Sequence, residues 1–235
     1  KYSEKVREIQ HPSSIMDIGK ETSVFMPKSN TMNTLMEQCY EFAGPENFQY
    51  GNWLKSIDNE RKVALFGTRS GSREVEYENL ISTVPLDKMR MMMSNGIPAS
   101  LTLKYSPIYI ANYKVEKIVP NWMINLYVPD QSTPVYRASL LNGICSVESI
   151  RELNDHELHT TKDLLNMFHL TDAPAEKFTW QTGKVISISM DERAMVEEEL
   201  EKSGIYLVGR FARWDRKLLV DTTINQAKLL VETLK

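Results

Sequence analysis

The carboxyl-terminal stretch GIYLVGRFARWDRKLLVDTTINQAKLLVETLK, residues 204–235, restricts the available folds more than any other segment. An apolar run from Gly204 to Val208 reads as a buried strand. Arg210, Arg213 and Trp214 follow in an exposed turn, and an amphipathic helix opens near Asp221. A strand that turns directly into a helix belongs to an α/β architecture. The turn also delivers arginines onto a helix N-terminus. Unpaired N–H groups and the positive end of the helix dipole favour an anion there, and arginine adds a rigid fork of donors. A phosphorylated or otherwise anionic ligand is the expected class.

The remaining elements alternate, with hairpins interrupting the order. Met32, Leu35, Met36, Cys39 and Phe42 recur at helical spacing across Met26 to Gly44, and Gly44-Pro45 stops that helix. Residues 1–22 read as a short helix with a loop. Strand-like runs occupy 48–58, 62–67 and 74–85, pairing across Asn59-Glu60 and across the loop 67–72. A short helix follows over 86–96. Further strands are expected near 105–113, 122–128, 135–141 and 184–190, with helices over 151–170 and 195–204. The pattern predicts a mixed α/β (α+β) fold with three portions: 1–98, 99–182 and 183–235.

Composition excludes several classes. Hydrophobic residues make up 42% and charged residues 25%, ordinary values for a globular protein. A formal charge of −3 gives no electrostatic footprint for nucleic acid. No apolar run approaches the ~18 residues of a membrane span, and no signal peptide opens the chain. Cys39 and Cys145 have neither metal-ligand spacing nor disulfide density, so a reducing cytoplasm is the expectation. His156 and His159 stand at i and i+3, not the i and i+4 of a helical metal pair, so no metal is expected. Met89 and Met91–Met93 read as packing, Trp53 and Trp122 likewise, and Asp191, Glu192 and Glu197–Glu199 as a solvated helix face. The chain starts at Lys1 and contains no G-x-G-x-x-G turn; the expectation is the later part of a longer polypeptide.

Three segments, in order, carry a family resemblance. FMPKSNTMNTL opens a helix, and a hairpin segment then leads to Tyr77-Glu78-Asn79-Leu80-Ile81-Ser82-Thr83-Val84-Pro85-Leu86. NLYVPDQSTPVYRASLLN, residues 125–142, ends a strand in a Pro-acidic turn and resumes at Pro-x-Tyr-Arg. VGRFARW and VDTTINQA close the chain. Together they resemble the UDP-galactopyranose mutases and the wider FAD-dependent amine-oxidase superfamily. Three departures stand out: Ser29-Asn30 in place of a Gly-Gly turn, Ala212 in place of a glycine, and a terminal loop about one residue longer.

The resemblance implies an FAD-dependent scaffold, with a mixed sheet, hairpins and the terminal strand-turn-helix. It implies a nucleotide-sugar isomerase in which the reduced flavin's N5 attacks the anomeric carbon and UDP leaves. Arg137 and Arg210 would hold the diphosphate, with Tyr136, Trp214 and Trp180 at the substrate. Leu54, Thr83, Pro85, Gly209, Arg210, Asp221, Thr222 and Thr223 would lie against FAD. Beside these readings stand plainer ones: both arginines as solvated surface residues, Trp180 as core or wall, Lys28 as a surface lysine. Two alternative functions remain open, an oxidoreductase of the same superfamily and a non-catalytic relic or subunit. The partners expected are a small-molecule substrate and a missing Gly-rich FAD-binding segment, with a homo-oligomer left open; nucleic acid and membrane are not expected.

Overall fold

The computed structural model describes residues 32–93, 95–116 and 124–234. Expectations for residues 1–22, for the start of the first helix (Phe25 to Lys28, Ser29-Asn30) and for Trp122 lie outside them. The chain divides into two discontinuous units. One combines the described residues up to Asn47 with Pro107–Gln181, and the other combines Phe48–Ser106 with Thr182–Lys235.

The second unit carries the parallel element that the terminal segment predicts. It begins with an antiparallel sheet of β1 (Trp53–Asp58), β2 (Val63–Thr68) and β3 (Gly71–Glu76), joined by the two expected turns. Then β4 (Leu80–Ser82) leads through Thr83–Pro85 into α2 (Leu86–Met92), where Pro85 takes the N-cap position. The long run 74–85 is therefore two strands, because Tyr77 to Asn79 turn the chain out of the first sheet. After α4 (Met190–Glu201), β10 (Ile205–Leu207) pairs with β4 in parallel, Ile205 opposite Leu80 and Leu207 opposite Ser82. Bonds from the Leu80 amide to the Gly204 carbonyl and from the Val208 amide to the Ser82 carbonyl lengthen this short ladder. α5 (Val220–Thr233) closes the chain.

Three paired residues per strand hold little by themselves; burial holds them. Ile205, Leu200, Val196, Leu86, Met89 and Trp214 are all essentially inaccessible and share one apolar cluster with Ile57 and Val185. Each such side chain contributes about 1.5–3 kcal/mol on burial. α4 begins earlier than periodicity predicts because Ser189 and Glu192 form a capping box, each satisfying the other's backbone N–H.

The first unit is built on a five-stranded sheet in the order β6-β7-β8-β5-β9. Its strands are β5 (Lys104–Lys114), β6 (Ile124–Tyr127), β7 (Val135–Leu141), β8 (Ile144–Ser149) and β9 (Glu176–Ile186); the unit boundary falls within β5 and β9. Asn142 and Gly143 join β7 to β8 with φ of 50° and 74°, the left-handed pair that a two-residue hairpin demands. α3 (Asp155–Leu164) carries its own capping box, Asn154 with Glu157. The Tyr113 hydroxyl donates to the Leu158 carbonyl at 3.1 Å, tying helix to sheet over a core of Val135, Ala138, Leu140, Cys145 and Val147. α1 (Met32–Ala43) precedes these elements and leaves Phe42 almost wholly exposed.

Candidate functional site

Parallel strands direct their following loops to one end of the sheet, and ligands in α/β folds lie outside those carboxyl ends. In the second unit, β4 and β10 run in parallel, so Thr83–Pro85 and Val208–Arg210 emerge side by side. The Leu86 amide donates to the Phe211 carbonyl at 3.0 Å, which joins the start of α2 to the arginine loop. Gly209 has φ of +93°, a conformation that a Cβ disfavours and glycine adopts freely, and a Cβ there would sit 3.7 Å from the Thr223 methyl. The structure thus brings Thr83, Pro85, Gly209 and Arg210 together with Thr223 in the first turn of α5. Leu54, on β1, packs against the same unit's core.

Two features suit this corner to an anion. No side chain caps the first turn of α5: Leu219 holds the N-cap position, with Asp221 and Thr222 exposed just beyond it. Arg210 donates from Nε to the Leu218 carbonyl at 2.9 Å, and among the described residues no carboxylate pairs with it. Its fork is aimed by one backbone contact and keeps its charge unneutralised, as a phosphate-binding arginine should.

The two other arginines around this loop, Arg213 and Arg193, are neutralised. Arg213 donates from Nε and Nη2 to the two carboxylate oxygens of Glu197 at 2.5 and 2.8 Å. That bonding holds its pKa above the usual guanidinium value, with desolvation working against it. Arg193 meets Asp215 at 2.8 Å. Glu197 is therefore no part of a merely solvated face: its side chain is about four-fifths buried against the arginine loop.

Trp214 is fully buried, its ring edge-on to Tyr105 with centroids 4.7 Å apart, and its φ is +50°. A non-glycine residue in that region carries roughly 1–3 kcal/mol of strain. Among the described residues its indole N–H finds no acceptor. The aromatic predicted at a diphosphate stands inside the core of its unit.

Arg137, Tyr136 and Trp180 fall in the first unit. Arg137 donates from Nη2 to Glu148 Oε1 and Tyr136 donates its hydroxyl to Glu148 Oε2 at 2.6 Å. Burial pulls the Arg137 pKa down, but Glu148 and Tyr127 more than offset that and leave it raised. Burial and then Glu148 push the Tyr136 hydroxyl well above the usual phenol range. Trp180, 64% exposed, lies on the edge strand β9, three strand positions away from β7. That spacing is ~14 Å at 4.8 Å per strand, so the two do not touch.

Glu148, Glu197 and Asp215 are the carboxylate partners of these arginines, a pairing the sequence does not reveal. Only register could have found Glu148, since it faces Arg137 across β7 and β8. His159 pairs with Asp163 at 3.8 Å when protonated, and no cluster of three metal-ligating side chains occurs among the described residues.

No protein-family model matches this chain, and no curated protein does. Solved structures do. A reduced UDP-galactopyranose mutase aligns at TM-score 0.60 with 18% identity, covering 86% of this chain and 52% of its own. An inferred protoporphyrinogen oxidase from Exiguobacterium sp. 255-15 aligns at 0.61 with 15% identity, covering 93% and 54%. A fatty acid isomerase from P. acnes that produces CLA aligns at 0.53 with 17% identity, covering 77% and 47%. The fold is shared with UDP-galactopyranose mutase and its structural relatives, as the sequence resemblance implies. The chain spans about half the length of these structures.

Proposed function

We propose that this chain supplies the substrate-binding and carboxyl-terminal cofactor-binding portions of an FAD-dependent nucleotide-sugar isomerase. The observation that carries the reading is the junction at the carboxyl ends of β4 and β10. An unneutralised Arg210, an unobstructed Gly209 and an uncapped helix start lie together there, and these residues fit a flavin nucleotide. A reduced flavin held there would supply the nucleophilic nitrogen that the isomerisation requires.

The chain's own residues bind and orient. Thr83 and Pro85 would line the cofactor from the β4 loop, and Gly209 lets the backbone approach closely. Arg210 and the first N–H groups of α5 would offset phosphate charge. In the first unit, Glu148 fixes the rotamers of Arg137 and Tyr136. A substrate diphosphate reaching Arg137 would therefore compete with Glu148 for its donors. Oxidoreductase chemistry on the same scaffold is the second reading, favoured by the likeness to the inferred protoporphyrinogen oxidase.

An absorbance scan of the purified chain with added FAD, followed by turnover of UDP-galactopyranose under reducing conditions, tests the proposal. Flavin bands on the protein and isomerisation without acceptor consumption are expected. Arg210→Ala is expected to lose about tenfold or more in flavin affinity, the loss of one charge-assisted contact. A chain that stays colourless with excess FAD, and binds no better than Arg210→Ala, overturns it.

A further inference from the structure

The loop between β10 and α5 is held from outside by a pair of opposed charges on one helix. α4 presents Arg193 and Glu197, one turn apart on the same face. The loop presents Asp215 and Arg213 on either side of Trp214, so that each meets its opposite: Arg193 to Asp215 at 2.8 Å and Arg213 to Glu197 at 2.5 and 2.8 Å. The signs run in the same order along helix and loop, and the contacts run antiparallel, so a slip of the loop would bring like charges together. Backbone bonds complete the lock. The Arg213 amide donates to the Gly209 carbonyl and the Asp215 amide to the Arg210 carbonyl, both at 3.0 Å. The Arg216 amide reaches Ser187 Oγ at 2.9 Å.

What these contacts enforce is an unfavourable backbone. Trp214 sits at φ +50° with its indole sunk into the core, a conformation that persists only where its surroundings over-determine it. Strain maintained by two ion pairs and a buried ring is more than closing a surface loop requires. The residue that benefits is Arg210: the carbonyl it shows to Asp215 and the contact it makes with the Leu218 carbonyl both belong to the locked loop.

We infer that Arg193 and Glu197 are positioning residues that, through Asp215 and Arg213, hold the Trp214 loop in its strained form and so preset Arg210 for an anionic ligand. This rests on the anion-binding reading of the Arg210 corner. The ligand class is a diphosphate, and inorganic pyrophosphate is the probe.

The test uses the full 235-residue chain. Pyrophosphate affinity is measured by calorimetry, and hydrogen exchange is followed without ligand, for the parent, Glu197→Gln, Asp215→Asn and the swapped pair Glu197→Arg with Arg213→Glu. In Glu197→Gln the Arg213 and Asp215 amides are expected to exchange about tenfold faster, while the Leu207 amide keeps its protection. Pyrophosphate affinity is expected to fall about tenfold, the coupling of one desolvated pair, and the swapped pair is expected to recover both. Asp215→Asn is the second single variant should Glu197→Gln fold poorly. Unchanged loop exchange in both single variants overturns the lock, whether or not anything binds. Faster exchange with parental pyrophosphate affinity overturns the positioning role. A parent that binds pyrophosphate no better than Arg210→Ala overturns the anion-site reading and the positioning role with it, while the exchange data still decide the lock itself.

Discussion

The two cysteines show how far environment separates identical side chains. Cys145 is fully buried in β8, and burial pushes its thiol up to about 11. Cys39 is exposed on α1. The thiolate is the reacting species, so at pH 8 Cys145 is both hidden and protonated. Iodoacetamide is expected to modify Cys39 within minutes and to spare Cys145 until the chain is unfolded in urea. Peptide mass mapping checks this, and equal labelling of both in the native protein would contradict the buried placement. The same contrast separates Arg210 from Arg137, Arg193 and Arg213. All four carry the same side chain, and nothing in local spacing tells which has a carboxylate waiting. Arg210 and its turn are legible because glycine precedes it and a helix follows. Glu197 is not, because its partner is 16 residues away across a loop whose path depends on burying Trp214.

At the level of elements, α3 gives a pH dependence with a definite sign. Arg151 donates to Glu157 at 2.5 and 2.8 Å and the Asn154 amide adds a third bond, so the Glu157 pKa falls from 4.5 to about 2. A carboxylate with a depressed folded-state pKa stabilises fully above its unfolded value and loses that contribution as pH falls through the folded one. The window is therefore pH 4.5 down to about 2. The difference in urea midpoint between the parent and Glu157→Gln is expected to be constant from pH 7 to 5 and to shrink towards zero by pH 2. A difference that persists at pH 2 would mean that the capping box acts independently of its charge.

Elements with a local cause are the ones the sequence predicts well. β7 appears at 135–141 as expected, and the β1–β2–β3 meander pairs across both anticipated turns. The reading assigns no strand to 144–149, although Asn142-Gly143 is the strongest short-range hairpin signal in the chain. The strand expected at 184–190 instead begins at Glu176; Phe178 and Trp180 alternate there with Lys177, Thr179 and Gln181, but every side chain through Gln181 is exposed, so no buried face accompanies the alternation. Helix 195–204 starts at Met190 because Ser189 and Glu192 cap it, a signal readable in S-x-x-E but overshadowed by the later apolar spacing.

Among the described residues, two apolar clusters organise the molecule. One gathers Leu86, Met89, Val196, Leu200, Ile205 and Trp214; the other gathers Val135, Ala138, Leu140, Cys145, Val147 and Leu165. Each coincides with one discontinuous unit, so each unit owns a core assembled from segments remote in sequence. A domain with its own core can unfold in its own transition, and a chain of two such domains need not behave as two-state. Leu200 and Leu140 are equally buried, one in each cluster. Truncating either to alanine removes the same atoms and is expected to cost about 2–5 kcal/mol. In a domain near 100 residues that lowers the transition by roughly 10 °C or more. Differential scanning calorimetry of the parent should resolve two components, with Leu200→Ala moving one and Leu140→Ala the other. If the ligand site belongs to the unit that holds Arg210, added FAD should raise only the component that Leu200→Ala lowers, because a ligand stabilises the state that binds it. Both variants displacing a single shared transition would show that the two cores melt as one cooperative body, and the cofactor effect could then no longer be assigned to either.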